Sequence, residues 1–139
     1  MSSVPCGFTV GVDNRAATFD STQHLIALGH RRFGLLGAPT KGNDRAFERG
    51  AGVAAALAQA GLTLPDACRR HGAISLGSAS IMMHGLLALP PRPTADVATN
   101  DVFAVGGMLA CREAGVRMPD DLSITGVDNT DLDASQTLA

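Results

Sequence analysis

The sequence predicts an α/β fold: one domain with a three-layer α/β/α arrangement around a doubly wound, mainly parallel sheet. Three observations lead there. Short β-type apolar runs alternate with stretches of helical period, the order expected of successive βαβ units. Helical stretches run into Gly29, Gly61 and Gly115, where a left-handed C-cap would stop them. Finally, 139 residues suit a single ordinary domain, and 45% hydrophobic against 17% charged residues supports a packed core rather than a disordered chain.

Residues 8–12 read as the first strand. Residues 18–28 follow as a helix with Phe19, Thr22, Leu25 and Ile26 on one face. A second buried strand spans 33–37, and the loop 38–43 contains Pro39 and Gly42. Asn43 or Asp44 caps the next helix, which reaches about Ala60 with Val53, Ala54 and Leu57 inward. A strand is expected over 72–76. Ser78 or Ser80 then caps a helix that ends near Leu89, because Pro90 and Pro91 cannot continue it. The remaining pattern is a strand at 95–99, a helix at 101–114 and a strand at 122–127, followed by a polar segment without period.

The net charge is -2 and the only lysine is Lys41, so no basic stripe for a phosphate backbone exists. The doublets Arg31-Arg32 and Arg69-Arg70 read as short solvated charges at strand entries. Cys6, Cys68 and Cys111 are odd in number and widely spaced, which predicts neither a disulfide framework nor a zinc site and fits a reducing cytoplasm. The opening residues lack the pattern of a signal peptide, and no apolar run reaches the length of a membrane span. His24, His30, His71 and His84 form no metal or hydrolase motif. Residues 50–55 satisfy a G-x-G-x-x-A dinucleotide fingerprint in letters only, since the charged, helix-like 45–49 precede it where a strand is required. Met82-Met83 reads as helix core or as a dimer contact. No enzyme and no cofactor is expected.

One echo stands out. Gly11-Val12-Asp13-Asn14 and Gly126-Val127-Asp128-Asn129 are identical, each closing an apolar run. In open parallel sheets the ligand crevice lies at the carboxyl ends of the strands, so the two acidic tips would share one cleft. The alternative is a pair of Asp-Asn turns.

Three further stretches carry a resemblance. They are Ala27-Leu28-Gly29-His30-Arg31-Arg32-Phe33-Gly34-Leu35-Leu36-Gly37, then Arg49-Gly50-Ala51-Gly52-Val53 with its Ala-rich helix, then Pro93-Thr94-Ala95 through Asn100-Asp101 and Ala104 to Gly115, with Pro119-Asp120-Asp121-Leu122-Ser123-Ile124-Thr125-Gly126-Val127-Asp128-Asn129. In order and spacing the chain resembles the LacI/GalR family of transcription repressors. The resemblance implies a periplasmic-binding-protein-like sensor, with two α/β lobes around a small-molecule cleft. Residues 1–139 would be a partial effector-binding and dimerisation domain, mainly the second lobe, with the helix-turn-helix headpiece and most of the first lobe absent. DNA would be contacted only through that headpiece. The implied partners are a small effector, a sugar or related metabolite, and a second copy of the chain, through helices around 82–86 and 108–112.

The resemblance also assigns candidate ligand-binding residues. Arg49 matches the family's effector arginine, and its planar guanidinium can clamp neighbouring hydroxyls or a carboxylate; a solvent-facing helical arginine is the alternative. Asp101 sits at a strand-to-helix junction, where its carboxylate would accept from a ligand hydroxyl or cap its own helix. Asn100 has the same two roles open to it. Asp128 matches a cleft-facing family position, against a simple turn role, and Asp13 would contact ligand or hinge. An aromatic near the start of the third helix is common in the family, but Ala73-Ile74-Ser75 stand there. Either the effector is not ring-stacked, or Phe47 or Phe103 replaces the platform, unless both belong to the core. An exported sugar-binding receptor of the same architecture is a second reading, and a doubly wound enzyme domain a third.

Overall fold

The computed structural model describes residues 13–126. The elements are α1 (Asn14–Ala27), β1 (Phe33–Gly37), α2 (Asp44–Gln59), a 3-10 turn (Asp66–Cys68), β2 (Arg69–His71), α3 (Leu76–Leu87), β3 (Ala95–Ala98), α4 (Asp101–Ala114) and β4 (Ser123–Thr125). All pairings are parallel, in the order β2-β1-β3-β4. The expected strand at 8–12 lies outside the described residues, as does everything after Gly126.

The two faces of the sheet carry separate cores. Leu25 of α1 and Val53 and Leu57 of α2 pack on Phe33, Leu35, Ala95 and Val97. On the opposite face, Met83, Leu86 and Leu87 of α3 and Phe103, Ala110 and Cys111 of α4 pack with Leu36, Ala98 and Ile124. Alternation along β1 and β3 divides these sets, since successive strand side chains point to opposite faces. Three layers result, as the sequence pattern predicts.

Each helix starts on a side-chain cap. Asp13, Asn43, Ser75 and Asn100 accept from the backbone N–H of Ala16, Ala46, Ser78 and Phe103, satisfying donors that the helix itself leaves orphaned. Gly115 stops α4 with φ 75°, a conformation that costs a Cβ-bearing residue strain.

Local differences from expectation have local causes. α1 begins at Asn14 rather than 18, because Asp13 provides a cap one turn earlier. The strand expected at 72–76 is instead β2, where Leu35, Leu36 and Gly37 pair with Arg69, Arg70 and His71. This edge strand is polar and charged, the composition that discourages edge-to-edge pairing, and so it lacks the apolar run that marks a strand in sequence. The cap of α3 is accordingly Ser75, not Ser78 or Ser80, and the helix ends at Leu87. β3 and β4 are each shorter than expected, ending at Ala98 and Thr125.

Candidate ligand site at the carboxyl edge of the sheet

Strand order makes one place special. The chain leaves β1 toward β2 with α2 on one face, then returns across β1 to β3 with α3 on the other, so the winding reverses between β1 and β3. That is the switch point where doubly wound sheets open a crevice beyond the carboxyl ends of their strands.

Arg49 is anchored there. It lies in the second turn of α2 and is 8% exposed. Its Nε donates to Asn14 Oδ1 at 3.0 Å, and its Nη1 donates to the Thr99 carbonyl at 2.5 Å. One guanidinium therefore links the first residue of α1, the body of α2 and the segment just beyond β3. The main chain is held as well, since Thr18 Oγ1 donates to the Arg49 carbonyl at 2.7 Å. A guanidinium fixed in this way keeps its plane and direction, the property that bidentate recognition of hydroxyls or carboxylates requires.

Asp101, the first residue of α4, is 4% exposed. A Cβ at Gly126 would lie 3.1 Å from Asp101 Oδ1, so the chain leaving β4 passes close over this carboxylate. Asn100 caps α4 through its Oδ1, which accepts from Phe103 N–H at 2.9 Å. Asp13 is exposed and caps α1, accepting from Ala16 N–H at 3.0 Å. Asp128 lies outside the described residues. Arg49, Asn100, Asp101 and Asp13 thus share the carboxyl edge, with Arg49 bonded to the neighbours of Asn100 and of Asp13.

His71 and Thr99 complete this edge over Gly37, where an added Cβ would meet both side chains within 3.6 Å. Burial, with Arg69 as a lesser cause, holds the His71 imidazole below its ordinary value, which favours the neutral ring at neutral pH. Phe103 is fully buried, but Phe47 in the first turns of α2 is 56% exposed. Ile74 and Leu76 before and at the start of α3 are also exposed. Among the described residues, no group of three or more His, Cys, Asp and Glu is arranged to hold a metal ion. No helix among them is long and apolar enough to cross a membrane.

Sequence reasoning named Arg49 but not Asn14, Thr18 and Thr99, which hold it. Asn14 carried a signal in the repeated Gly-Val-Asp-Asn. Thr18 and Thr99 carried none, because their partners are remote in the chain.

Comparison with known proteins agrees with this architecture. Residues 22–138 match the model of the periplasmic binding protein-like domain. The HTH-type transcriptional repressor CytR of Escherichia coli (strain K12) is 35% identical over 124 residues, covering 89% of this chain and 36% of CytR. The HTH-type transcriptional repressor PurR of Photobacterium profundum is 37% identical over 112 residues, covering 81% of this chain and 33% of PurR. Among solved structures, a sugar-binding transcriptional regulator of the LacI family from Escherichia coli, complexed with phosphate, superimposes with TM-score 0.81 at 31% identity over 88% of this chain and 44% of that one. The chain thus spans about a third of the length of the curated relatives it matches, and those relatives are transcription repressors rather than enzymes. A matched family model over most of the chain, the reversed parallel sheet and the shared repressor relatives establish one assignment: the chain belongs to the periplasmic-binding-protein-like domain family, in its LacI/GalR form.

Proposed function

We infer that this chain is the effector-sensing part of a cytoplasmic repressor of the LacI type, binding a sugar or a related hydroxylated metabolite at the carboxyl edge of its sheet. The observation that carries the reading is the fixed Arg49 guanidinium at the switch point, tethered to Asn14 and Thr99. In this reading Arg49 clamps ligand hydroxyls, while Asp101, Asn100, Asp128 and Asp13 supply acceptors from neighbouring strand ends. Exposed Phe47 offers the apolar face that Ala73-Ile74-Ser75 do not. A solved relative described as sugar-binding supports the ligand class.

An effector shifts a repressor only by its different affinity for the two arrangements of the protein. Small ligands need most of their surface buried, and one lobe supplies one wall. The isolated chain therefore binds its effector weakly, and the affinity of the whole repressor requires the opposing lobe.

The same reading includes a homodimer, through the outer face of α3 and α4. Met82, Met83 and Leu86 cannot serve, because they are buried in the chain's own core. Ile81 at 75% and Leu109 at 42% exposure are among the apolar side chains that α3 and α4 leave exposed. DNA binding would come from a headpiece and not from these residues.

Amide chemical-shift mapping with a panel of pentoses, hexoses and nucleosides tests the site. The expected result is weak, saturable perturbation centred on residues 14, 49 and 99–101, abolished in Arg49→Met while the fold is retained. Perturbation confined to another face, or identical in Arg49→Met, would sink the assignment.

A further inference from the structure

The opposite, amino-terminal edge of the sheet holds a second built feature that sensing at the carboxyl edge does not use. A pocket of about 400 Å³ lies where the chain enters β1, leaves α2 and approaches β3. Its walls include Leu62, Leu89, Pro65 and Pro93, and Arg31 and Arg32 stand at its rim. The volume falls within the range of ordinary small-molecule sites. Proline walls have little freedom left to lose on binding.

The charges at this edge are one-sided. Arg31 and Arg32 precede β1, Arg69 and Arg70 open β2, and Arg92 precedes β3. None of the five forms a salt bridge among the described residues. Asp66, in the 3-10 turn, is the only acidic residue in the segments that form the pocket. Asp121 lies within electrostatic reach of Arg92, but its carboxylate is already engaged by Arg117, whose backbone N–H donates to Oδ2 at 3.0 Å.

Three of these arginines are also tethered to backbone carbonyls, Arg32 within the pocket lining and Arg70 and Arg92 next to its lining segments in sequence. Arg32 Nε donates to the Arg92 carbonyl at 3.0 Å, Arg70 Nε to the Ala67 carbonyl at 2.9 Å, and Arg92 Nε to the Leu87 carbonyl at 3.2 Å. Each tether uses the inner nitrogen and leaves the terminal nitrogens as donors. Guanidinium donors beside an apolar hollow match a carboxylate carried on an apolar body, and match poorly either a bare hydrophobe or a bare anion.

We propose that this pocket is a second ligand site, which takes a small aromatic or aliphatic carboxylate, its apolar body among Leu62, Leu89 and the prolines and its carboxylate on Arg31 and Arg32. The site lies across the sheet from Arg49, so the two ligands would not compete for the same residues. It does not depend on the identity of the effector.

The test uses the 139-residue chain with 2-naphthoate as probe, followed by calorimetry and amide shift mapping. The expected result is saturable binding with perturbations over residues 31–33, 61–68 and 89–93. Affinity should fall about tenfold or more for neutral 2-naphthamide, for inorganic phosphate, and in the Arg31→Gln/Arg32→Gln variant. Both arginines are exposed, so the variant's melting curve should match the parent's, and Ala67→Phe offers a second check by occupying the hollow without removing charge. Absence of binding, equal affinity for the amide or for phosphate, full affinity in the double variant, or perturbations centred on residues 14, 49 and 99–101 would each overturn the proposal.

Discussion

The α1–α2 layer and the α3–α4 layer are assembled by similar devices and differ in the polar groups they enclose. Each helix pair closes on a glycine: a Cβ at Gly52 would overlap Thr18 Oγ1 and the Arg15 carbonyl, and one at Gly106 would overlap Ala79 Cβ. Each is spanned by an exposed side-chain contact, an ion pair of Arg15 with Glu48 at 3.0 Å and a hydrogen bond between His84 and Glu113 at 3.1 Å. Between α1 and α2, however, the buried polar groups include Thr18 and Arg49, which are bonded across the interface and lead to the carboxyl edge. Beneath α3 and α4 lies Asp96 of β3, fully buried, with both carboxylate oxygens lacking a hydrogen-bond partner. One layer bonds its buried polar groups across the interface, whereas the other carries buried polarity as a cost to stability. Thr22 on the first layer also has an unpartnered hydroxyl, but an uncharged group is far less expensive to bury than a carboxylate.

The largest expected effect comes from Asp96. Burial raises its carboxyl from the ordinary 3.8 to about 7. The folded chain therefore keeps this proton up to about pH 7, while the unfolded chain releases it near pH 4. The stability tied to that proton is complete below the unfolded value and is lost as pH rises through the folded one. The difference is on the order of 4 kcal/mol across the window. Asp96→Val should thus stabilise the chain strongly at pH 8 and much less at pH 4, read from denaturant melts at both values. An equal gain at the two pH values would remove the distinction between the layers.

The glycine contacts come next. Gly52→Ala and Gly106→Ala should each destabilise by about 1–3 kcal/mol through overpacking. Only Gly52→Ala should also shift the amide resonances around Arg49 and Thr99, because Thr18 connects that contact to the arginine. Should Gly106→Ala perturb the carboxyl edge equally, the two layers would not be separable in this way.

The smallest effect is expected from the surface pairs. Double-mutant cycles for Arg15–Glu48 and for His84–Glu113 should each give under about 1 kcal/mol, because exposed pairs are screened and their side chains lose entropy on pairing. A markedly larger coupling in one pair would identify that layer as electrostatically held.

Much of this fold was legible in advance. The run at 33–37 and the helix at 101–114 were located from apolar content, a capping Asn or Asp and a following Gly, all of which act within a few residues. The edge strand was not, since Arg69-Arg70-His71 has no apolar pattern and becomes a strand only by pairing with Leu35, Leu36 and Gly37. Arg49 was visible as a candidate through resemblance, whereas the repeated Gly-Val-Asp-Asn drew attention to Asp13 and not to Asn14, the residue that Arg49 bonds. Asp101 and Asn100 were correctly placed at a strand-to-helix junction, although only coordinates show that Asn100 uses its Oδ1 as a cap.

By itself the sequence determined the α/β class, the alternation of elements and most helix ends, because period and capping are properties of neighbouring residues. Tertiary structure alone decided which strand follows which in the sheet, that Asp96 is sealed in apolar surroundings, that Phe47 is exposed while Phe103 is not, and that Arg49 bonds to Asn14 and Thr99. Those contacts join residues 35 and 50 positions apart, and a parallel sheet fixes such pairs only when the crossovers have been laid down and the faces of each strand chosen.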